Sequence, residues 1–157
     1  MNATSMAKLD LVLPETKRRI LQLESMLSFD LEVSRGVATW AQQDALWEQG
    51  RSEPGIIVTD AKGGYSGHNF GYPVDVFPED QEGRADWNID HANWREILEK
   101  APSCGLAEGA QWADFHDDPH LYPEELPATP TDAMREQFKE GGLPEVWRNF
   151  APPLRVE

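Results

Sequence analysis

Apolar residues recur at helical spacing along parts of this chain and alternate in others. Ile20, Leu23 and Leu27 stand three or four apart, which lays them along one helix face. Leu13, Pro14 and Glu15 open that helix. Proline suits a first turn, and an early carboxylate suits the positive end of the helix dipole. Leu31 to Ser34 is a short strand candidate. Thr39 is placed to cap a second helix that runs to Glu48 or Gln49, with Trp40, Gln43, Leu46 and Trp47 marking its faces. Gly50 is its natural stop. From Tyr72 to Phe77 the pattern alternates, so Val74 and Val76 point one way and Asp75 the other.

Asp90 reads as the cap of a third helix, with Trp94, Ile97, Leu98 and Ala101 turned to the core. Residues 106–121 are expected to hold one or two short strands joined by a turn at Asp117, Asp118 and Pro119. A last helix starts near Thr131 and ends at Gly141 and Gly142. Between these elements lie a long polar loop from Arg51 to about Tyr65 and a proline-rich coil from Pro123 to Pro130. Loops of that length belong at a surface or a site. Helices alternate with short strands, but no βαβ unit of proper length appears. The expectation is an α+β fold, a small antiparallel sheet flanked by helices, in a single domain over residues 1–157.

Composition narrows the function. The net charge is -14. A polyanion gains nothing from nucleic-acid phosphates or from an anionic membrane surface. The acid is spread along the chain, as a solvated surface requires. Six Trp and six Phe supply large core pieces. Cys104 is the single cysteine and has no partner for an internal disulfide, so it reads as a small packing residue. The first ten residues lack the basic and apolar regions of a secretory signal, and no stretch approaches the roughly 18 apolar residues of a membrane span. The protein is expected to be made in the cytoplasm and to act as a monomer.

The chemistry gathers in two short segments about fifty residues apart. Ser66, His68, Gly71 and Asp75 stand in the first; Asp117, Pro119 and His120 stand in the second. Two imidazoles, one carboxylate ligand and a spare carboxylate are the parts of a catalytic zinc site with an open position for water. A turn at Gly71 lets His68 and Asp75, seven positions apart, converge. Pro119 narrows the approach of His120. Asp117 is one candidate for the general base. Asp118 is the other, because in a regular strand it shares the face of His120. Either segment alone fits an ordinary loop hydrogen bond; the pair points to a metal. His91 beside a helix cap reads as surface, and His116 as a residue near the site or on the surface.

Read together, the segments resemble the zinc peptidases that cut bacterial cell-wall peptides. This group holds D-Ala-D-Ala carboxypeptidases, D-Ala-D-Ala dipeptidases and phage L-alanyl-D-glutamate endopeptidases. Its first motif, Ser-x-His-x-x-Gly-x-Ala-x-Asp, is similar to Ser66, His68, Gly71 and Asp75, with Pro73 in place of the alanine. The endolysin branch's second motif resembles Gly105, Leu106, Gly109, Trp112, Asp117, Pro119 and His120. Gln43 to Gly55 and Leu143 to Trp147 are similar to two further endolysin segments, so the resemblance covers roughly residues 30–150.

The resemblance implies the fold shared by hedgehog domains and D-Ala-D-Ala peptidases, with zinc held by His68, Asp75 and His120. It favours Asp117 as the base, with zinc polarising the scissile carbonyl. Arg51 would bind a substrate carboxylate or the oxyanion, or else make a loop salt bridge. Ser66 would hydrogen-bond substrate or cap its turn. Trp112 would wall a core or pocket. The implied substrate is the peptidoglycan stem peptide, cut at the L-alanyl–D-glutamate bond. Its rivals are D-Ala-D-Ala carboxypeptidase or dipeptidase action, and a catalytically silent zinc domain used for binding. Reaching the wall without a signal peptide would, for a phage protein, depend on a holin. Two positions depart from the pattern. Ala38 stands where family members often carry an arginine, and Asp118 stands where a basic residue is common.

Overall fold

The computed structural model describes residues 1–109 and 117–150, and of Asp118 the backbone only. In chain order the elements are α1 (Ala3–Leu9), α2 (Pro14–Met26), β1 (Leu31–Arg35), α3 (Trp40–Glu48), a 3-10 turn (Gly67–Phe70), β2 (Val74–Pro78), α4 (Ala92–Lys100), a 3-10 turn (Ala101–Cys104), β3 (Leu106–Gly109), β4 (Asp117–Pro123) and α5 (Asp132–Arg148). The expected α+β class is borne out. One compact unit comprises Met1–Val37 and Tyr72–Glu125, and a second comprises Ala38–Gly71 and Leu126–Glu157.

The first unit is built on a four-stranded antiparallel sheet in the order β1-β2-β4-β3. Leu31, Val33, Val74, Val76, Leu106 and Leu121 are buried with Ile20 and Leu23 of α2 and Trp94 and Ile97 of α4. Fully burying side chains of this size stabilises by about 1.5–3 kcal/mol each before entropy is counted. Cys104 lies in this core as a free thiol, as the sequence suggests. The outer edge of β1 is closed by α1. The Val33 N–H donates to Ser5 Oγ at 2.8 Å, and Lys8 Nζ donates to the carbonyls of Val33 and Ser34 at 2.9 Å each. An edge satisfied in this way offers no template to another strand.

The second unit is held by α3, α5 and the turn Gly67–Phe70. Trp40 stacks on Phe138 with centroids 5.3 Å apart, and Phe70 meets both rings edge-on. Thr39 caps α3 through a full capping box with Gln42, as its position predicts.

Several expectations shift. Helix α1 has no counterpart in the sequence reading; its start is set by Asn2, whose side chain accepts from the Ser5 N–H at 2.9 Å. The cap position of α4 is His91, not Asp90, and no side chain caps it. Asp86 organises the turn instead, taking the His91 ring at 2.6 Å and the Asn88 N–H at 3.0 Å. Asp117, Asp118 and Pro119 lie in β4 rather than in a turn, because Asp117 pairs with Gly109 of β3. The helix that starts at Thr131 does end at Gly142 as expected, where φ 67° and ψ -157° break it; a second helical segment then runs on to Arg148. Among the described residues no helix is long and apolar enough to cross a membrane.

One surface cluster makes folding sensitive to acid. Hydrogen bonds from Arg18 first, and Arg19 after it, hold the Glu15 carboxyl down at about 2, against a usual 4.5 and against its own partial desolvation. A depressed carboxyl stabilises the fold above its unfolded pKa and loses that contribution as pH falls toward the folded value. The Glu15→Gln variant is expected to lose up to about 1 kcal/mol at neutral pH, a size set by the pair's exposure. The deficit should shrink below about pH 4.5 and be small near pH 2. Urea melts of both proteins across that range check it; a deficit that stays constant with pH would exclude the ion pairs as its cause.

Candidate metal centre

The site starts from strand register. Asp75 of β2 lies directly opposite His120 of β4, and the next pair, Val74 with Leu121, is turned into the core. Opposed residues of an antiparallel pair share a face, so the pairing that buries two aliphatic side chains presents a carboxylate and an imidazole together. His120 Nδ1 stands 3.1 Å from Asp75 Oδ1 and 3.8 Å from Asp117 Oδ2. The His120 ring is 5% exposed and packs against Tyr122 with centroids 5.8 Å apart.

His68 is held by its own segment. Ser66 Oγ accepts from the His68 N–H at 3.4 Å and caps the 3-10 turn, and Gly71 ends that turn in the left-handed conformation at φ 67°. Glycine takes that conformation without strain. The His68 carbonyl accepts from the Ala38 N–H at 2.9 Å. Asn69 donates from Nδ2 to the carbonyls of Ala38 and Thr39 at 3.0 and 3.1 Å, and its Oδ1 accepts from the Gly64 N–H at 2.8 Å. From α5, Trp147 Nε1 donates to the Phe70 carbonyl at 2.7 Å. His68 is 2% exposed.

His68, Asp75 and His120 each offer one ligand atom, and these atoms lie within 4.8 Å of one another. The ligands of a tetrahedral zinc stand about 3.3–3.6 Å apart, from bonds of about 2.0–2.2 Å. Two imidazole nitrogens and one carboxylate oxygen form a borderline donor set of the kind zinc takes. The three residues can therefore hold a metal ion.

Asp117 is placed beside this group by an irregularity in β4. Glu108 pairs with Leu121, but the next residue of β3, Gly109, pairs with Asp117. A side chain at Gly109 has no room: a Cβ there meets the Asp117 carbonyl oxygen at 2.5 Å and the Cβ atoms of Asp117 and His120 at 3.0 Å each. The absence of a side chain at this glycine lets the two chains close.

The other expected residues are engaged locally. Arg51 donates to the carbonyls of Trp47 and Thr59 at 2.6 and 3.1 Å, pairs with Asp60 at 2.9 Å, and lies over the Trp47 ring at 4.7 Å. These are the bonds of a loop salt bridge and a helix C-terminal cap. Trp112 and His116 lie outside the described residues, as does the side chain of Asp118. Sequence reasoning passed over Arg35 at the end of β1. Burial pushes its pKa down, while the carboxylates of Asp75 and Asp117 pull it up.

Comparison with known proteins bears out the fold and the resemblance. No family model matches the chain. Over 99 residues it is 34% identical to the peptidoglycan L-alanyl-D-glutamate endopeptidase CwlK of Bacillus subtilis (strain 168), an alignment that takes in 59% of this chain and 59% of that protein. The chain thus spans about three-fifths of the length of this curated relative. Among solved structures, the L-Ala D-Glu endopeptidase ChiX of Serratia marcescens superposes with a TM-score of 0.60 over 78% of this chain and 88% of that chain, at 22% identity.

The Gly109→Ala variant is expected to displace Asp117 and His120 and to weaken zinc binding by about 10–100-fold, the usual cost of a lost orienting contact. Competition against a fluorescent chelator measures the affinity, and circular dichroism checks the fold. Unchanged affinity in a folded variant would show that the tight approach at Gly109 has no bearing on the metal group.

Proposed function

We propose that this chain, a homologue of L-alanyl-D-glutamate endopeptidases, is a zinc-dependent peptidase of the peptidoglycan stem peptide. The observation that carries the reading is the His68, Asp75 and His120 group with Asp117 beside it, in a fold like that of such an endopeptidase. The bond assigned is the one between L-alanine and D-glutamate, which follows the names of the relatives.

A bound zinc ion supplies a Lewis acid and lowers the pKa of water at the open position of a three-ligand site. The residues of the chain do the rest. The Asp117 carboxylate stands 3.8 Å from His120 Nδ1. That suits a base next to the ligand set, within reach of an attacking water. In this reading Asp117 takes the proton from that water and returns it to the amine of D-glutamate as the amide bond breaks. The deep burial of His68 and His120 keeps both rings from turning away. Ser66 and Arg51 serve the framework, Ser66 by capping the turn that carries His68 and Arg51 by closing the loop after α3.

The test is mass spectrometry of fragments released from purified peptidoglycan by the zinc-loaded protein. New peptides that begin at D-glutamate are expected. The Asp117→Asn variant should release them about 100- to 10,000-fold more slowly, the usual worth of a general base. Loss of terminal D-alanine instead would move the protein to the carboxypeptidase reaction. A wild-type protein that binds zinc and cuts nothing would leave a silent binding domain. Removing metal with a chelator should abolish cleavage, and added zinc should restore it; full activity of protein shown by elemental analysis to hold no metal would end the zinc reading.

A further inference from the structure

Pairing across the sheet places one more residue in line with the metal group. In β1 the ladder shifts between Val33 and Arg35: Val33 lies opposite Val76, and Arg35, not Ser34, lies opposite Asp75. The extra residue, Ser34, is a β-bulge, a device that re-aims the side chain next to it. An unbroken ladder would set Ser34 against Asp75. With the bulge, Arg35, Asp75 and His120 stand in one row across β1, β2 and β4, and opposed residues share a face. The bulge is held from both sides. Lys8 Nζ donates to the carbonyls of Val33 and Ser34, and Ser34 Oγ donates to the Asp75 carbonyl at 3.1 Å.

The charges around this row explain what an arginine does there. Asp75 and Asp117 are both carboxylates, and the electrostatic influence of both reaches Arg35. An acidic substrate approaching them meets repulsion. The proposed substrate is acidic next to the bond that breaks. D-Glutamate continues the stem peptide through its γ-carboxyl, so its α-carboxylate is free and sits on the carbon that bears the scissile nitrogen. Wherever that bond is cut, a negative charge lies a few ångströms away. A guanidinium has five N–H donors in a planar fork, more than one carboxylate can take.

We propose that Arg35 receives the α-carboxylate of the D-glutamyl unit and so sets a preference for stem peptides with a free carboxylate over those with a carboxamide there. The inference rests on the endopeptidase reading. Two synthetic stem peptides, identical but for α-carboxylate or α-carboxamide at the second residue, test it with zinc-loaded wild type, Arg35→Gln and Arg35→Lys. The wild type should favour the carboxylate by about 10–100-fold in kcat/KM, the worth of a charge-assisted hydrogen bond. The Arg35→Gln variant should lose that factor on the carboxylate peptide and keep its rate on the carboxamide. Arg35→Lys, which retains the charge without the fork, should keep part of the preference. Calorimetric binding of the product peptide that begins at D-glutamate should weaken in parallel, at unchanged zinc content.

Equal losses on both peptides, or none, would overturn the assignment of Arg35 and leave the endopeptidase reading intact. An Arg35→Gln variant that fails to fold passes the decision to Arg35→Lys, whose unaltered preference would overturn it as well. A wild type that cuts neither peptide would remove the endopeptidase reading, and this inference with it.

Discussion

The pairing of β2 with β4 is the constraint on which this structure depends. Strand side chains alternate, so a slip of β4 by one residue against β2 would turn Leu121 out of the core and His120 away from the face of Asp75. That slip would take the fully buried Leu121 out of the core and put an imidazole in its place, each change costly in its own right. The core therefore enforces the register, and the register fixes the carboxylate opposite the imidazole. No additional interaction is needed to specify that half of the metal group. His68 is specified separately, by a short turn whose backbone is bound on several sides.

Two irregularities complete the arrangement, one at each end of the row. The bulge at Ser34 brings Arg35 opposite Asp75. The shift between Glu108 and Gly109 brings Asp117 back toward His120. Both depart from a regular ladder at the point where side chains of the site are aimed, which is where bulges concentrate in sheets. The regular pairing of β2 with β4 sets Asp75 opposite His120, and the irregular parts set Arg35 and Asp117 beside them.

This division explains what could be read from the chain alone. Val74, Asp75 and Val76 announce their faces by simple alternation, and Thr39 announces a helix start, so those elements were legible. The His68, Asp75 and His120 group was legible because two segments, each ordinary alone, together supply two imidazoles and a carboxylate. Arg35 was not. Its position depends on a bulge, and nothing in Val33, Ser34 and Arg35 says that one residue will be looped out. Asp117 was read as part of a turn because proline disfavours a regular strand; the structure keeps Pro119 in β4 where the ladder is already irregular. Helix α1 escaped notice because it is short and opens on polar residues, with Asn2 as its main sign.

The bond from Trp147 Nε1 to the Phe70 carbonyl joins residues 77 positions apart. It fastens the turn that carries His68 to the far end of α5. A change at Trp147 would therefore loosen the seat of His68 from a distance, while Ser66, Asn69 and Ala38 still hold the turn locally.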